Sequence, residues 1–140
     1  MTVRAPDDVP MATVPLAGVL TQGAAIDVSS LPETADVPAE QIDAHEYVLR
    51  VKGPSLCAFG IEPADLLIIE PRPDGRAATG ELVLAELGER VLLGRWWTKQ
   101  RRRVLLDAAL QPITDDADLR VIGAVTVIVR HDAHAARRRR

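Results

Sequence analysis

Cysteine is all but missing from this 140-residue chain: Cys57 stands alone and cannot close an intrachain disulfide, which fits a reducing, cytoplasmic setting. The three histidines are scattered, His45 in a polar stretch and His131 and His134 in a charged tail, so no Cys/His cluster has the spacing of a zinc site. Neither a metal nor a cofactor is expected. No apolar run nears the roughly 20 residues a membrane-spanning helix needs. The start, Met1-Thr2-Val3-Arg4-Ala5-Pro6-Asp7-Asp8, lacks the apolar centre of a signal peptide. There is no convincing amphipathic helix and no internal repeat. Lysine is scarce as well, with Lys52 and Lys99 only.

What is present is ordinary for one soluble domain: 47% apolar and 26% charged residues. A chain of this length can bury roughly two-thirds of its unfolded surface. The net charge of −3 hides a gradient. Residues 1–46 carry eight acids and one base, and residues 90–140 carry twelve bases and five acids. The bases cluster at Lys99-Gln100-Arg101-Arg102-Arg103 and Arg137–Arg140. Such clusters can attract nucleic acid or an acidic partner. A solvated hairpin tip and a disordered tail explain them more simply, with Trp96 and Trp97 capping a sheet, and direct DNA binding is not expected.

Three regions follow from the texture of the chain. Residues 1–46 form an N-terminal segment and arm: 1–12 read as disordered, "TVPLAGVL" (13–20) as a short strand, and 21–46 as a polar, mobile stretch with no strand or helix period. Residues 47–131 read as a β domain. "YVLRVKG" alternates, "DLLIIEP" is a buried run, and "GELVLAELGERVLLGRWW" is a hairpin turning at Gly88. "RRRVLLDAA" and the β-branched "LRVIGAVTVIVRH" add two further strands. Residues 132–140 are a basic, disordered tail. The fold expected is mainly β, a curled sheet rather than a flat one.

One stretch asks for chemistry. In "VKGPSLCAFGIEPADLLIIE", residues 51–70, a serine sits on a Gly-Pro corner between two apolar segments. A serine hydroxyl is a weak nucleophile until a base takes its proton. The histidines lie in the arm and the tail, away from any strand, which argues against a Ser-His-Asp triad. The other solution is a lysine buried until its amine is neutral. Spacing alone makes Ser55 a turn residue.

The chain resembles the S24 peptidase family, the self-cleaving domain of LexA repressors and the stand-alone UmuD proteins. "VKGPSL" matches the nucleophile segment, with Leu56 in place of the family's methionine. "GIEPADLLIIEP" matches the Gly-Asp-Leu-Leu segment, with Ala64 in place of its second glycine. "TGELVLAELGERVLLGRW" and "LRVIGAVTVIVR" match the following hairpin and the closing strand, and "VPLAGVLTQGAA" resembles the cleavage-site region. The resemblance covers about residues 13–131. It implies a LexA/signal-peptidase-like fold, Ser55 as nucleophile, and a scissile bond at Gln22–Gly23. With about a dozen residues ahead of that region, no helix-turn-helix is expected, and the architecture is UmuD-like.

The departure is at the base. Counted from Gly80 without gaps, the family's general-base lysine falls on Gly94, beside Arg95. Arginine stays protonated and cannot substitute. Lys99 is at an odd offset on the strand, and Lys52 lies on the strand before Ser55. A glycine where a buried lysine belongs is expected to leave room, so that lysine at position 94 would speed self-cleavage. The resemblance implies a dimeric regulatory factor of the DNA-damage response with degenerate or lost self-cleavage. The other reading is an active serine autoprotease cutting Gln22–Gly23 with an unconventional base. Implied partners are a second copy, paired through residues 119–130, and a DNA polymerase or RecA-type filament.

Overall fold

The computed structural model describes residues 2–4 and 9–130. Its strands, in chain order, are β1 (Thr2–Arg4), β2 (Met11–Leu20), β3 (Thr34–Pro38), β4 (Tyr47–Val51) and β5 (Leu66–Pro71). They continue with β6 (Leu82–Leu87), β7 (Arg90–Lys99), β8 (Arg102–Leu106), β9 (Pro112–Thr114) and β10 (Arg120–Arg130). They form one curled sheet in the order β3-β2-β4-β5-β10-β6-β7-β8-β9, with β1 alongside β10. The mainly β expectation holds.

The strands legible in the sequence lie where alternation or β-branching placed them. β6 and β7 pair antiparallel from Leu82↔Arg95 to Leu87↔Arg90, and the two residues between them include Gly88. β5 is apolar on successive residues because it runs between β4 and β10 and presents both faces to core. Three clusters of buried side chains result. One gathers Leu20, Leu49, Leu56, Ile61, Leu67 and Leu93. A second gathers Leu16, Val37, Val48, Ile68 and Val127, and a third Val83, Leu92, Trp96, Leu105 and Leu119. Each fully buried leucine or isoleucine contributes roughly 1.5–3 kcal/mol.

The N-terminal third is more ordered than its sequence suggests. Thr2–Arg4 pair in parallel with Ile128–Arg130, and Met11 and Ala12 belong to β2, so these positions are strand rather than disordered. Within the supposedly aperiodic arm, Thr34–Pro38 pair antiparallel with Met11–Pro15. Only Ala35 and Val37 carry the alternation there, flanked by Asp36 and Pro38, too short a signal to read. β10 is internal, with β5 on one side and β6 and β1 on the other. The first basic cluster is a solvated tip: Gln100 and Arg101 turn between β7 and β8, and residues 99–103 are exposed. Trp96 is buried and Trp97 is 41% exposed. The expected disordered tail, 132–140, lies outside the described residues, as do His131 and His134.

Candidate functional site

Ser55 occupies an anchored corner. β4 ends at Val51, and Gly53 reverses the chain at φ 80°, a conformation that favours glycine. The amide of Cys57 then donates to Pro54 O at 3.1 Å, opening a single 3-10 turn over Cys57–Phe59. Gly60 N–H closes on Cys57 O at 2.9 Å, and Ile61 N–H on Leu56 O at 3.3 Å. Leu56 and Ile61, 1% and 0% exposed, plug the turn into the core from beneath. The serine between them and the Gly-Pro corner is left exposed. An exposed serine on a turn anchored by apolar side chains has the access that a nucleophile needs, on a support that positions it.

The return from this turn is held by charge. Asp65, 1% exposed, accepts the Glu62 amide at Oδ2 (2.8 Å). Arg130, at the end of β10, lies against the same carboxylate and donates to Gly60 O. Ala64 N–H donates to Val51 O at 2.8 Å, and Val51 N–H to Asp65 O at 2.9 Å, stitching the return to β4.

The cleavage-site-like segment spans from the end of β4 to β7. The carbonyl of Leu20 accepts the Lys52 amide at 2.9 Å, three residues before Ser55. Gly23 N–H then donates to Val91 O at 2.9 Å, and Val91 N–H to Ala24 O at 3.0 Å. The Gln22 side chain engages Leu93 twice, donating from Nε2 to the carbonyl at 2.8 Å and accepting the amide at Oε1 at 2.7 Å. Gly23 has φ 80° and lies beside the Leu92 side chain. Gln22, Gly23 and the run leading to Gly94 are therefore brought together, although they are some 70 residues apart in sequence.

Gly94 is not an empty socket. It pairs with Val83 on β6, and a methyl carbon built there would lie 2.6 Å from Leu106 O and 2.8 Å from Leu105 Cγ. The expectation that this glycine leaves room for lysine is overturned. β8 crosses too close behind it, and a side chain at 94 would strike the Leu106 backbone carbonyl as well as the Leu105 side chain. Arg95 instead donates to Gly80 O at 3.2 Å and lines a cavity of about 290 Å³ with Phe59, Leu82, Val125 and Ile128.

Both lysines are in solvent. Lys52 is exposed at the end of β4, and Lys99 is exposed at the tip of the β7–β8 hairpin. A lysine serves as a base near neutral pH only once its amine is desolvated. On the arm, the Asp27 carboxyl is held below its usual range by hydrogen bonds from Ser29, with a smaller contribution from the Lys52 charge. His45 is exposed, as expected. Among the described residues no group of three or more His, Cys, Asp or Glu is arranged to hold a metal ion. No helix among them is long and apolar enough to cross a membrane. A groove of about 440 Å³ lies elsewhere, between Val14, Ala17, Ile42 and Tyr47.

Two features escaped the sequence reading. The Asp65–Arg130 pair had a faint signal in an aspartate abutting the run Leu66–Ile69. The Gln22 contact had none, because it depends on the register of β7.

No family model matches the chain. It is similar to proteins named LexA repressor. The one from Syntrophotalea carbinolica is 32% identical over 123 residues, 84% of this chain and 60% of that protein. The one from Syntrophobacter fumaroxidans is 29% identical over 123 residues, 85% of this chain and 59% of its own length. A third, from Geotalea uraniireducens, is 33% identical over 90 residues, 60% of this chain and 43% of that protein. The chain thus spans about three-fifths of the length of the first two relatives, 60% and 59%.

Proposed function

We propose that this LexA-like chain is a regulatory domain of the S24 peptidase type, acting in the DNA-damage response, in which self-cleavage has decayed or been lost. The observation that carries this reading is the pairing of an intact elbow with a missing base. Ser55 stands exposed on an anchored turn, and the Gln22–Gly23 segment lies along β7. The position counted as the base is a glycine closed off by Leu105 and Leu106, and both lysines are in solvent. Losing a general base lowers a rate typically by about 10²–10⁴. Such a domain would work by binding, with its segment in place, rather than by cutting.

An active autoprotease is the second reading. It is favoured by the survival of the serine and by the proximity that an intramolecular reaction enjoys. Intact-mass measurement of the purified protein held from pH 7 to pH 10, beside Ser55→Ala, separates the two. Unchanged mass supports the binding domain. Fragments 1–22 and 23–140 that require Ser55 support the protease, and a rate rising with pH would indicate a lysine losing its proton.

The same reading extends to partners. Two copies would pair through residues 119–130, chiefly at the 125–130 end, because β10 already has β5 and β6 on its two sides at Gly123 and Ala124. A DNA polymerase or a RecA-type filament would be the larger partner. Because β1 runs beside Ile128–Arg130, a second copy that paired edge-on there would displace Thr2–Arg4. Sedimentation of the full chain against a variant lacking residues 1–4 tests this: the shortened chain should associate more tightly.

A further inference from the structure

In an antiparallel ladder, the N–H and C=O of one residue are commonly both taken by the residue directly opposite. Along β7, both groups of Val91 are taken by the facing segment, though by two neighbouring residues: its carbonyl takes Gly23 N–H and its amide reaches Ala24 O. Two residues on, at Leu93, the opposite chain has turned away at Gly23. The side-chain carboxamide of Gln22 takes the place of the missing peptide, at 2.8 and 2.7 Å. Leu93 is itself fully buried, so an unpaired amide and carbonyl here would cost about 1–3 kcal/mol each.

Few side chains can do this. The group must carry a donor and an acceptor on one plane, at the reach of two methylenes. Asparagine is a methylene short, ionised glutamate has no donor, and methionine has neither group. We propose that the backbone of Leu93 is a subsite that reads a carboxamide, and that Gln22 is the positioning residue that fixes which peptide bond lies along β7. Register is the property at stake, since a one-residue slip of the segment would put Thr21 or Gly23 at this point, and neither can bridge Leu93. The inference rests on the reading of 21–24 as a cleavage-site-like segment, but the contact itself is measurable without any cleavage.

The test is amide hydrogen exchange of the full chain, read at Leu93, Val91 and, as core controls, Ile68 and Leu84. Gln22→Met should speed exchange at Leu93 by about tenfold or more, corresponding to the loss of its hydrogen bonds, while Ile68 and Leu84 hold. Gln22→Glu supplies a conservative rescue. A protonated carboxyl has donor and acceptor, and an ionised one faces the Leu93 carbonyl without a proton. Protection at Leu93 in that variant should therefore rise as pH falls through the ordinary glutamate range, about 4.3. The charged residues on the elements around it are Lys52 after β4, Glu89 and Arg90 at the start of β7, Arg95 on β7, and Asp27 on the segment. Lysine and arginine do not titrate in that range, and the wild-type curve measured alongside removes the contributions of Asp27 and Glu89. If Gln22→Met loosens the whole domain, Gln22→Asn decides, with Leu93 alone expected to lose protection. Unchanged protection at Leu93 in Gln22→Asn, or no pH response in Gln22→Glu, overturns the subsite. Failure to cleave, with Leu93 protected as described, would count against the protease reading only.

Discussion

Arg130 sets its guanidinium against Asp65, with Nε 3.3 Å from Oδ2, an ion-pair distance without the alignment of a hydrogen bond. The same side chain reaches Glu62 Oε2 at 3.4 Å and donates to Gly60 O. The end of the central strand thereby holds the turn that carries Ser55. Removing one member of a buried pair strands the other charge, at a cost of roughly 3–5 kcal/mol. Arg130→Ala is expected near the lower end, about 3 kcal/mol, because the arginine is partly solvated. Urea unfolding measures it. The double variant with Asp65→Ala should cost less than the two single losses added together, the sign of direct coupling.

Acid should weaken the fold through Glu81. Its carboxyl is held below the usual value of 4.5, first by the hydrogen bond from Arg72 and then by the Ala78 amide, against the effect of burial. A carboxyl depressed in the folded state adds stability above its unfolded value, and loses it as pH falls through the folded one. Glu81→Gln should therefore be less stable than wild type at pH 7, and the gap should close below about pH 4.5. The pair is about one-third exposed on the acid side, 31%, so an effect on the order of 0.5 kcal/mol is expected. Thermal unfolding at several pH values reads both the size and the sign.

Filling position 94 should harm rather than restore. Gly94→Ala places a methyl against the Leu106 carbonyl and the Leu105 side chain, an overpacking that costs about 1–3 kcal/mol. Gly94→Lys should cost at least as much and bring no faster self-cleavage. Denaturation midpoints and intact mass, taken on the same samples, check the two halves of this expectation. A lysine variant that is as stable as wild type and cuts itself would show that β8 yields.

The tip of the β7–β8 hairpin carries removable strain. Gln100 and Arg101 sit at φ 52° and 68°, left-handed positions that Asn and Gly occupy with less penalty. Replacing the pair by Asn-Gly should stabilise the domain by about 1 kcal/mol, roughly 3 °C in melting temperature. Differential scanning calorimetry reads the shift directly.

Most of the sheet was legible because its strands announce themselves by alternation or by β-branched runs: Tyr47–Val51, Leu66–Pro71, the Leu82–Lys99 hairpin and Arg120–Arg130. Thr34–Pro38 and Pro112–Thr114 were not, since each pairs along only a few residues and one begins on a proline. At the site, Ser55, Gln22, Gly23 and Gly94 could be named from motif order, but their surroundings could not be foreseen. Whether a glycine marks a hole or a close approach depends on where β8 crosses, which no local pattern records. That Gln22 would pair with a backbone 71 positions away follows from sheet register alone.

The position of β10 has a consequence for how the protein is made. β5 and β6 do not pair with each other; each pairs with β10, the last of the described strands to leave the ribosome. Until residues 120–130 emerge, the nascent chain can hold a β2–β5 portion and a β6–β9 portion, joined among the described contacts by the short run of Gln22–Ala24 against Val91 and Leu93 rather than by a full ladder. The strand edges of both halves stay open through synthesis, when pairing with a neighbouring chain is the hazard. Assembly of the whole thus awaits a single late segment, and slowing translation just before it would lengthen the vulnerable interval.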